Sequence, residues 1–327
     1  MIHPFIRNLV SAIREELGTP VRITELLLGR PDLRIDLSEP AHPSINALDA
    51  TSWHKLCPQH PMGKGYATGW RYSKTTHSYE SYITKIAGYD RMGQRKVVDD
   101  WSCDIRDVHG VGASKSNLSA FKSLSDMAIA TSPDLVREVS LDALERNLAH
   151  ENIGARHNPQ SSDHFEFNLW SPHVYLNNSG GSHHFAAAKH IAEELGEPVI
   201  LRRKAVANLL DAGAVMATLK EYEMFAIPGE VRFANELHEA LASYRAGYFM
   251  HPLPDPFSNA NVILLPRDDA RSMQVAQTFR ECGATSVGEQ LARIARECVL
   301  HAPMLGLRPT PDHETTGAPR PRVRAGA

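Results

Sequence analysis

An α+β fold is predicted from three features of the chain. Segments that alternate apolar and polar residues, Tyr79 to Ile86, Val97 to Ile105 and His164 to Trp170, read as half-buried strands. Other segments carry apolar residues three or four apart and read as helices, most clearly Phe185, Ala188, Ile191, Ala192 and Leu195. The third feature is size and composition. A chain of 327 residues, 42% hydrophobic and 22% charged, can bury a full core in two or three subdomains.

In chain order, Pro4 to Leu17 places Phe5, Ile6, Leu9, Val10, Ile13 and Leu17 on one helical face that Gly18 closes. Residues 31–61, rich in Pro, Asp and Ser, read as an irregular connection. Cys57 and His60 within it have a metal-ligand spacing but no second pair, so they read as surface or packing residues. Residues 62–113 are β-rich, a hairpin or meander with a turn at Arg91 to Gln94. His109-Gly-Val-Gly112, followed by Ala113-Ser-Lys-Ser116, is a glycine loop with a lysine, and Asn117 to Ala130 reads as the next helix. Val136 to Ser140 reads as a strand. Ser140 then caps a short helix, Leu141 to Ala149, with Leu141, Leu144 and Leu148 inward. His164 to Trp170 and His173 to Asn177 make a hairpin, and Glu197 to Leu201 a strand.

Beyond it come a helix over 205–220, a strand Tyr222 to Ile227, a helix Val231 to Tyr244, strands near Tyr248 and Val262 to Leu265, and helices over 270–282 and 286–300. Asp268 and Asp269 read as a cap for the first of those two helices. From Pro303 apolar periodicity is lost, and the arginines of the last residues make a basic, disordered tail. The expected units are an N-terminal helix and β-rich region (1–130), a central core (131–205), an α+β extension (206–302) and the tail (303–327).

The chemistry centres on Asn177-Asn-Ser-Gly-Gly-Ser-His-His-Phe185, which reads as strand, glycine turn and helix, with Gly196 and Pro198 ending that helix. Two glycines before a helix leave several N–H groups pointing into open space, an arrangement that attracts phosphate. The alternative is a plain tight turn with Ser182 as N-cap. His183 and His184 in the first turn favour the phosphate reading, since neutral imidazoles donate to phosphate oxygens and charged ones pair with them.

Gly180, Gly181 and His183, followed by an Ala-rich helix, resemble the Gly-Gly-x-His box of the ParB/sulfiredoxin-like fold. The order of strand, helix, hairpin, box, helix and strand over residues 133–205 resembles its core. Ser182 stands where sulfiredoxin has its cysteine, and His184 where both families have arginine. The string Asn178 to Ala188 also resembles a signature of bacterial proteins without an assigned activity. The resemblance implies a nucleotide-binding enzyme: an NTP hydrolase, phosphotransferase or nuclease with a nucleoside triphosphate and Mg²⁺ as cofactors. The phosphate would lie on Ser179, Gly180, Gly181, Ser182, His183, His184 and Arg202, with His183, His184 and Glu166 as catalytic candidates. Asp163, Asp142 and Glu145 are further carboxylates near it.

A second reading keeps the fold without catalysis, as a regulatory or DNA-associated protein. Arg202, Arg203 and Lys204 and the basic tail are its candidate contacts to a nucleic-acid backbone. A third uses His164, His173, His183, His184 and His190 as metal ligands. Adjacent helical histidines point about 100° apart, which argues against a shared ion, and no metal site is assigned. The net charge of −3 excludes a global field drawing the chain to nucleic acid. No apolar run approaches the ~20 residues of a membrane span. The N-terminus lacks a secretory layout, and the four cysteines are scattered, so a cytoplasmic location is expected.

Overall fold

A computed structural model describes residues 13–151, 153 and 161–305. Ten strands form two five-stranded sheets. The strands are β1 (Tyr66–Ser73), β2 (Ser78–Lys85), β3 (Gly93–Asp104), β4 (Val108–Val111), β5 (His164–Asn168), β6 (Val174–Asn177), β7 (Ile200–Leu210), β8 (Tyr222–Pro228), β9 (Tyr248–Pro252) and β10 (Ala260–Pro266). One sheet, in the order β2-β1-β9-β10-β8, is antiparallel throughout. The other, β3-β7-β5-β6-β4, is mixed: β7 runs parallel to β5 and antiparallel to β3, while β6 runs parallel to β4 and antiparallel to β5.

The helices are α1 (Val21–Leu27), α2 (Leu124–Thr131), α3 (Pro133–Val136), α4 (Leu141–Leu148), α5 (Ser182–Leu195), α6 (Ala212–Glu221), α7 (Val231–Tyr244), α8 (Ala270–Glu281) and α9 (Val287–His301). Helices α2, α3 and α4 pack around α5, and α9 lies against β7, β8 and α6. The larger core joins the mixed sheet to α5 through Phe165, Leu176, Phe185, Ile191 and Ala207. A second core, built on Phe225, Phe233, Leu241, Tyr244 and Phe279, joins the antiparallel sheet to α1, α7 and α8.

The α+β class is as the sequence predicts, and the helix bracketed by glycines runs from Ser182 to Leu195. Ser140 caps α4 by accepting from Ala143 N, and Asp269 caps α8 by accepting from Arg271 N. Several expectations are corrected. Of the residues expected as a strand at Val136 to Ser140, Val136 ends a helical turn whose φ Pro133 presets at the first position, and 137–140 follow as irregular backbone. The expected helix over 205–220 begins only at Ala212. Ala205 to Leu210 is an unbroken buried run that continues β7, with β3 on one side and β5 on the other. The hairpin β1–β2 forms, but β3 leaves it for the other sheet, so there is no meander.

Leu141 is exposed, while Leu144 and Leu148 are inward as expected. Of the expected N-terminal helix, residues 1–12 lie outside the described residues. Ile13 and Leu17, expected on its packing face, are exposed. The expected boundaries at 130/131 and 205/206 fall inside α2 and β7. The basic tail from residue 306 lies outside the described residues.

Candidate functional site

The chain leaves β6 at Asn177 and turns through Gly180 and Gly181 into α5. Gly181 is the N-cap residue, at φ 71° and ψ 13°, a left-handed conformation that costs a residue with a Cβ but not glycine. No side chain caps the helix, so its first-turn N–H groups are left to other acceptors. This corrects the expectation that Ser182 is the cap. Ser182 is the first helical residue and donates instead to Ser114 Oγ at 3.0 Å.

Ser114 belongs to the glycine loop after β4, which the fold brings against the turn. Asn178 joins the two: its Nδ2 donates to Ala113 O at 3.0 Å and its Oδ1 accepts from Ala113 N at 3.0 Å. Nδ2 also donates to Gly180 O at 2.8 Å. Gly112 lies so close to Asn177 that an added Cβ would stand 2.3 Å from Asn177 Oδ1. Beneath the turn, Asp163, 1% exposed, accepts from both Ser179 N and Ser179 Oγ on its Oδ1 at 2.8 Å. Its other oxygen is buried without a partner among the described residues.

Between the loop and the turn opens a cavity of about 770 Å³, lined by Ala113, Ser114, Lys115, Thr131, Ser132, His150 and Ser179 to His184. His183 Nε2 lies 2.9 Å from Ser116 Oγ. His184 Nδ1 lies 3.0 Å from Asn147 Oδ1, and its ring stacks on His150 with centroids 3.7 Å apart. Burial, and then His150 and His183 beside it, hold the His184 pKa below the ordinary imidazole value.

Of the residues singled out in the sequence, Ser179, Gly180, Gly181, Ser182, His183 and His184 meet here. Glu166 and Arg202 do not. Alternation along β5 sets Glu166 on the face opposite Phe165 and Phe167. There its carboxylate accepts from Arg95 Nη2 at 3.2 Å and from Asn208 Nδ2 at 2.9 Å. Arg202 pairs with Asp100 at 3.5 Å and lines a different groove, with Leu141 and Ile200. Arg203 and Lys204 are its neighbours on β7 and are likewise absent from the lining. Asp163 supports the turn from below, and neither Asp142 nor Glu145 lines the cavity.

Among the described residues, no three His, Cys, Asp or Glu side chains converge to hold a metal ion. Burial pushes the Cys57 thiol up to about 12, and His60 Nε2 lies against Thr68 Oγ1 at 3.2 Å. Sequence reasoning missed His150, Thr131, Ser132 and Asn147. Nothing in their spacing marks them, because helix packing around α5 brings them in. The loop at Lys115 carried the one readable signal, a glycine pair followed by a lysine.

Among the described residues, no helix is long and apolar enough to cross a membrane. Comparisons with curated proteins and with solved structures return no match. Residues 98–303 match a family of unknown function, DUF6685, and this span includes both walls of the cavity but not the β1–β2 hairpin. The match covers well over half of the chain, which therefore belongs to the DUF6685 family.

Proposed function

We propose that the protein binds a phosphate-bearing ligand, of nucleotide size or smaller, between the Ala113 to Ser116 loop and the N-terminus of α5. The observation that carries this reading is the make-up of the walls. Lys115, three imidazoles, five hydroxyl side chains and the uncapped first turn of α5 face one cavity, and no carboxylate is among its described lining residues. Amide and ammonium donors from two sides suit an oxyanion, and the helix end adds partial positive charge. The volume falls within the ~300–1,000 Å³ typical of small-molecule sites.

His183 and His184 also have the chemistry for general acid–base work on a bound phosphate ester. Among the described residues the walls offer no carboxylate to the Mg²⁺ that the ParB/sulfiredoxin-like resemblance implies: Asp142, Glu145, Asp163 and Glu166 all lie off them.

Titration calorimetry with inorganic phosphate and a nucleotide tests the reading. Wild type is expected to bind, with Lys115→Ala and the double variant His183→Ala, His184→Ala weaker by roughly tenfold or more, at about 1.4 kcal/mol per tenfold. If the double variant melts normally but hydrolyses a bound nucleotide more slowly, the imidazoles act in turnover as well as binding. Absence of binding by the folded wild type, or binding indifferent to Lys115 and both histidines, would overturn it.

A further inference from the structure

His184 is held in one tautomer by a residue outside the cavity lining. Asn147, 5% exposed, donates from Nδ2 to Leu135 O at 3.1 Å and to Ala143 O at 3.0 Å. Flipping this amide would set its oxygen against two carbonyl oxygens, so the orientation is fixed. Oδ1 is thus left as an acceptor facing His184 Nδ1, and the hydrogen between them belongs to the imidazole. With Nδ1 protonated, the neutral ring carries its lone pair on Nε2.

Among the described residues that nitrogen has no hydrogen-bond partner and is not one of the buried unpartnered atoms, and the ring that carries it lines the cavity. A second proton there is opposed from several sides. His150 lies flat on the ring, His183 is adjacent, Lys115 lines the same cavity, and the ring sits in the first turn of a helix. The wall therefore has amide and ammonium donors, hydroxyls that serve either way, and at His184 Nε2 an atom that only accepts.

We infer that this acceptor makes the cavity select a phosphate that brings its own hydrogen. Hydrogenphosphate, or a phosphate ester with a neighbouring hydroxyl, is preferred over sulfate or a fully ionised ester without one. The inference rests on the phosphate reading above. An O–H donating to Nε2 replaces a clash of lone pairs with a hydrogen bond. Sulfate, an acceptor on every oxygen, leaves Nε2 unpaired, and an unpaired acceptor of this kind corresponds to a preference of roughly tenfold to a hundredfold.

The test is calorimetry on the full chain at a pH well above the histidine range, with inorganic phosphate, sulfate, methyl phosphate and glycerol 3-phosphate as probes. Phosphate is expected to bind more tightly than sulfate by that factor. Glycerol 3-phosphate exceeding methyl phosphate would assign the hydrogen to an alcohol of the ligand, and inorganic phosphate exceeding both esters would assign it to P–OH. In His184→Gln, whose amide can present a donor at the same place, the phosphate-to-sulfate ratio is expected to fall towards one with phosphate still bound. Two-bond ¹H–¹⁵N spectra of the wild type read the tautomer directly, and Asn147→Leu should release it.

A wild type that binds phosphate and sulfate equally, or a His184 protonated on Nε2, overturns this inference and leaves phosphate binding standing. Binding of none of the four probes overturns both.

Discussion

His251, on β9 of the antiparallel sheet, and His54, in the turn that packs on β3 and β7 of the mixed sheet, are both imidazoles whose burial lowers their pKa to about 4. Their surroundings differ. His251 donates from Nδ1 to Pro252 O at 3.0 Å, which leaves Nε2 to accept from Tyr89 OH at 3.3 Å. Both ring nitrogens of His54 are buried without a partner among the described residues.

The contrast extends beyond these two rings. Among the described residues, the other buried unpartnered side-chain atoms are Asn208 Oδ1 on β7, Asp163 Oδ2 just before β5, and Glu297 Oε2 on α9, which packs on β7 of the mixed sheet and β8 of the antiparallel one. Among the described residues, the strands of the antiparallel sheet carry no such atom, whereas the mixed sheet, whose β4 and β6 lead into the cavity beside α5, leaves bonding capacity over. Unsatisfied polar groups are where native proteins depart from stability rules for function.

The largest expected effect breaks the scaffold alone. Phe279→Ala should cost ~3–5 kcal/mol in urea unfolding, because Phe279 is fully buried and stacked on Phe225. Phosphate affinity of the protein still folded should be unchanged. A parallel fall in affinity would show that the halves are coupled.

Acid comes next. A histidine whose folded pKa is depressed binds its proton more readily when unfolded, so its stability contribution is intact above the unfolded value and is lost as the pH falls towards the folded one. For His54 and His251 the window runs from 6.5 down to about 4. The loss is of order 3 kcal/mol for each, read as denaturation midpoints across that range.

Single substitutions at neutral pH then separate the two rings. His251→Leu should cost ~1–3 kcal/mol by stranding Tyr89 OH and Pro252 O, whereas His54→Leu, which removes two buried unpartnered nitrogens and loses no hydrogen bond, should cost less than His251→Leu. Equal costs would remove the distinction. Gly181→Ala should cost ~1–2 kcal/mol for the left-handed backbone, yet it should weaken phosphate binding where Phe279→Ala does not.

Legibility in the sequence followed the range of the forces involved. Helix α5 was readable because its glycine bracket and apolar spacing are local, and α7 was readable from Val231 to Tyr244 by the same spacing. The second half of β7 was not. Ala205 to Leu210 is a run of apolar residues broken only by Asn208 that suits either a helix or a buried strand, and what decides is pairing on both sides, with β3 and with β5.

At the site, the glycine turn and its two histidines were visible in one stretch. The lock on His184 was not, since Asn147 lies in the last turn of α4 and its only distinction is the set of carbonyls it meets. Glu166 is close to the turn along the chain, but alternation in β5 turns it to the other face, toward Arg95 and Asn208.

The paired bonds between Asn178 and Ala113 span 65 residues of sequence. Closing a loop of that length costs entropy before any contact compensates it, so the two walls meet only in concert with the strands that carry them. The cavity is therefore not a portable cassette. A fragment cut to residues 131–205 would keep the glycine turn but not the Ala113 to Ser116 wall or the β3 partner of β7. For the same reason the amide of Gly112, which donates to Leu176 O at 2.9 Å where β4 meets β6, should exchange its hydrogen through openings that part those strands, which ties the lifetime of the site to that of the sheet.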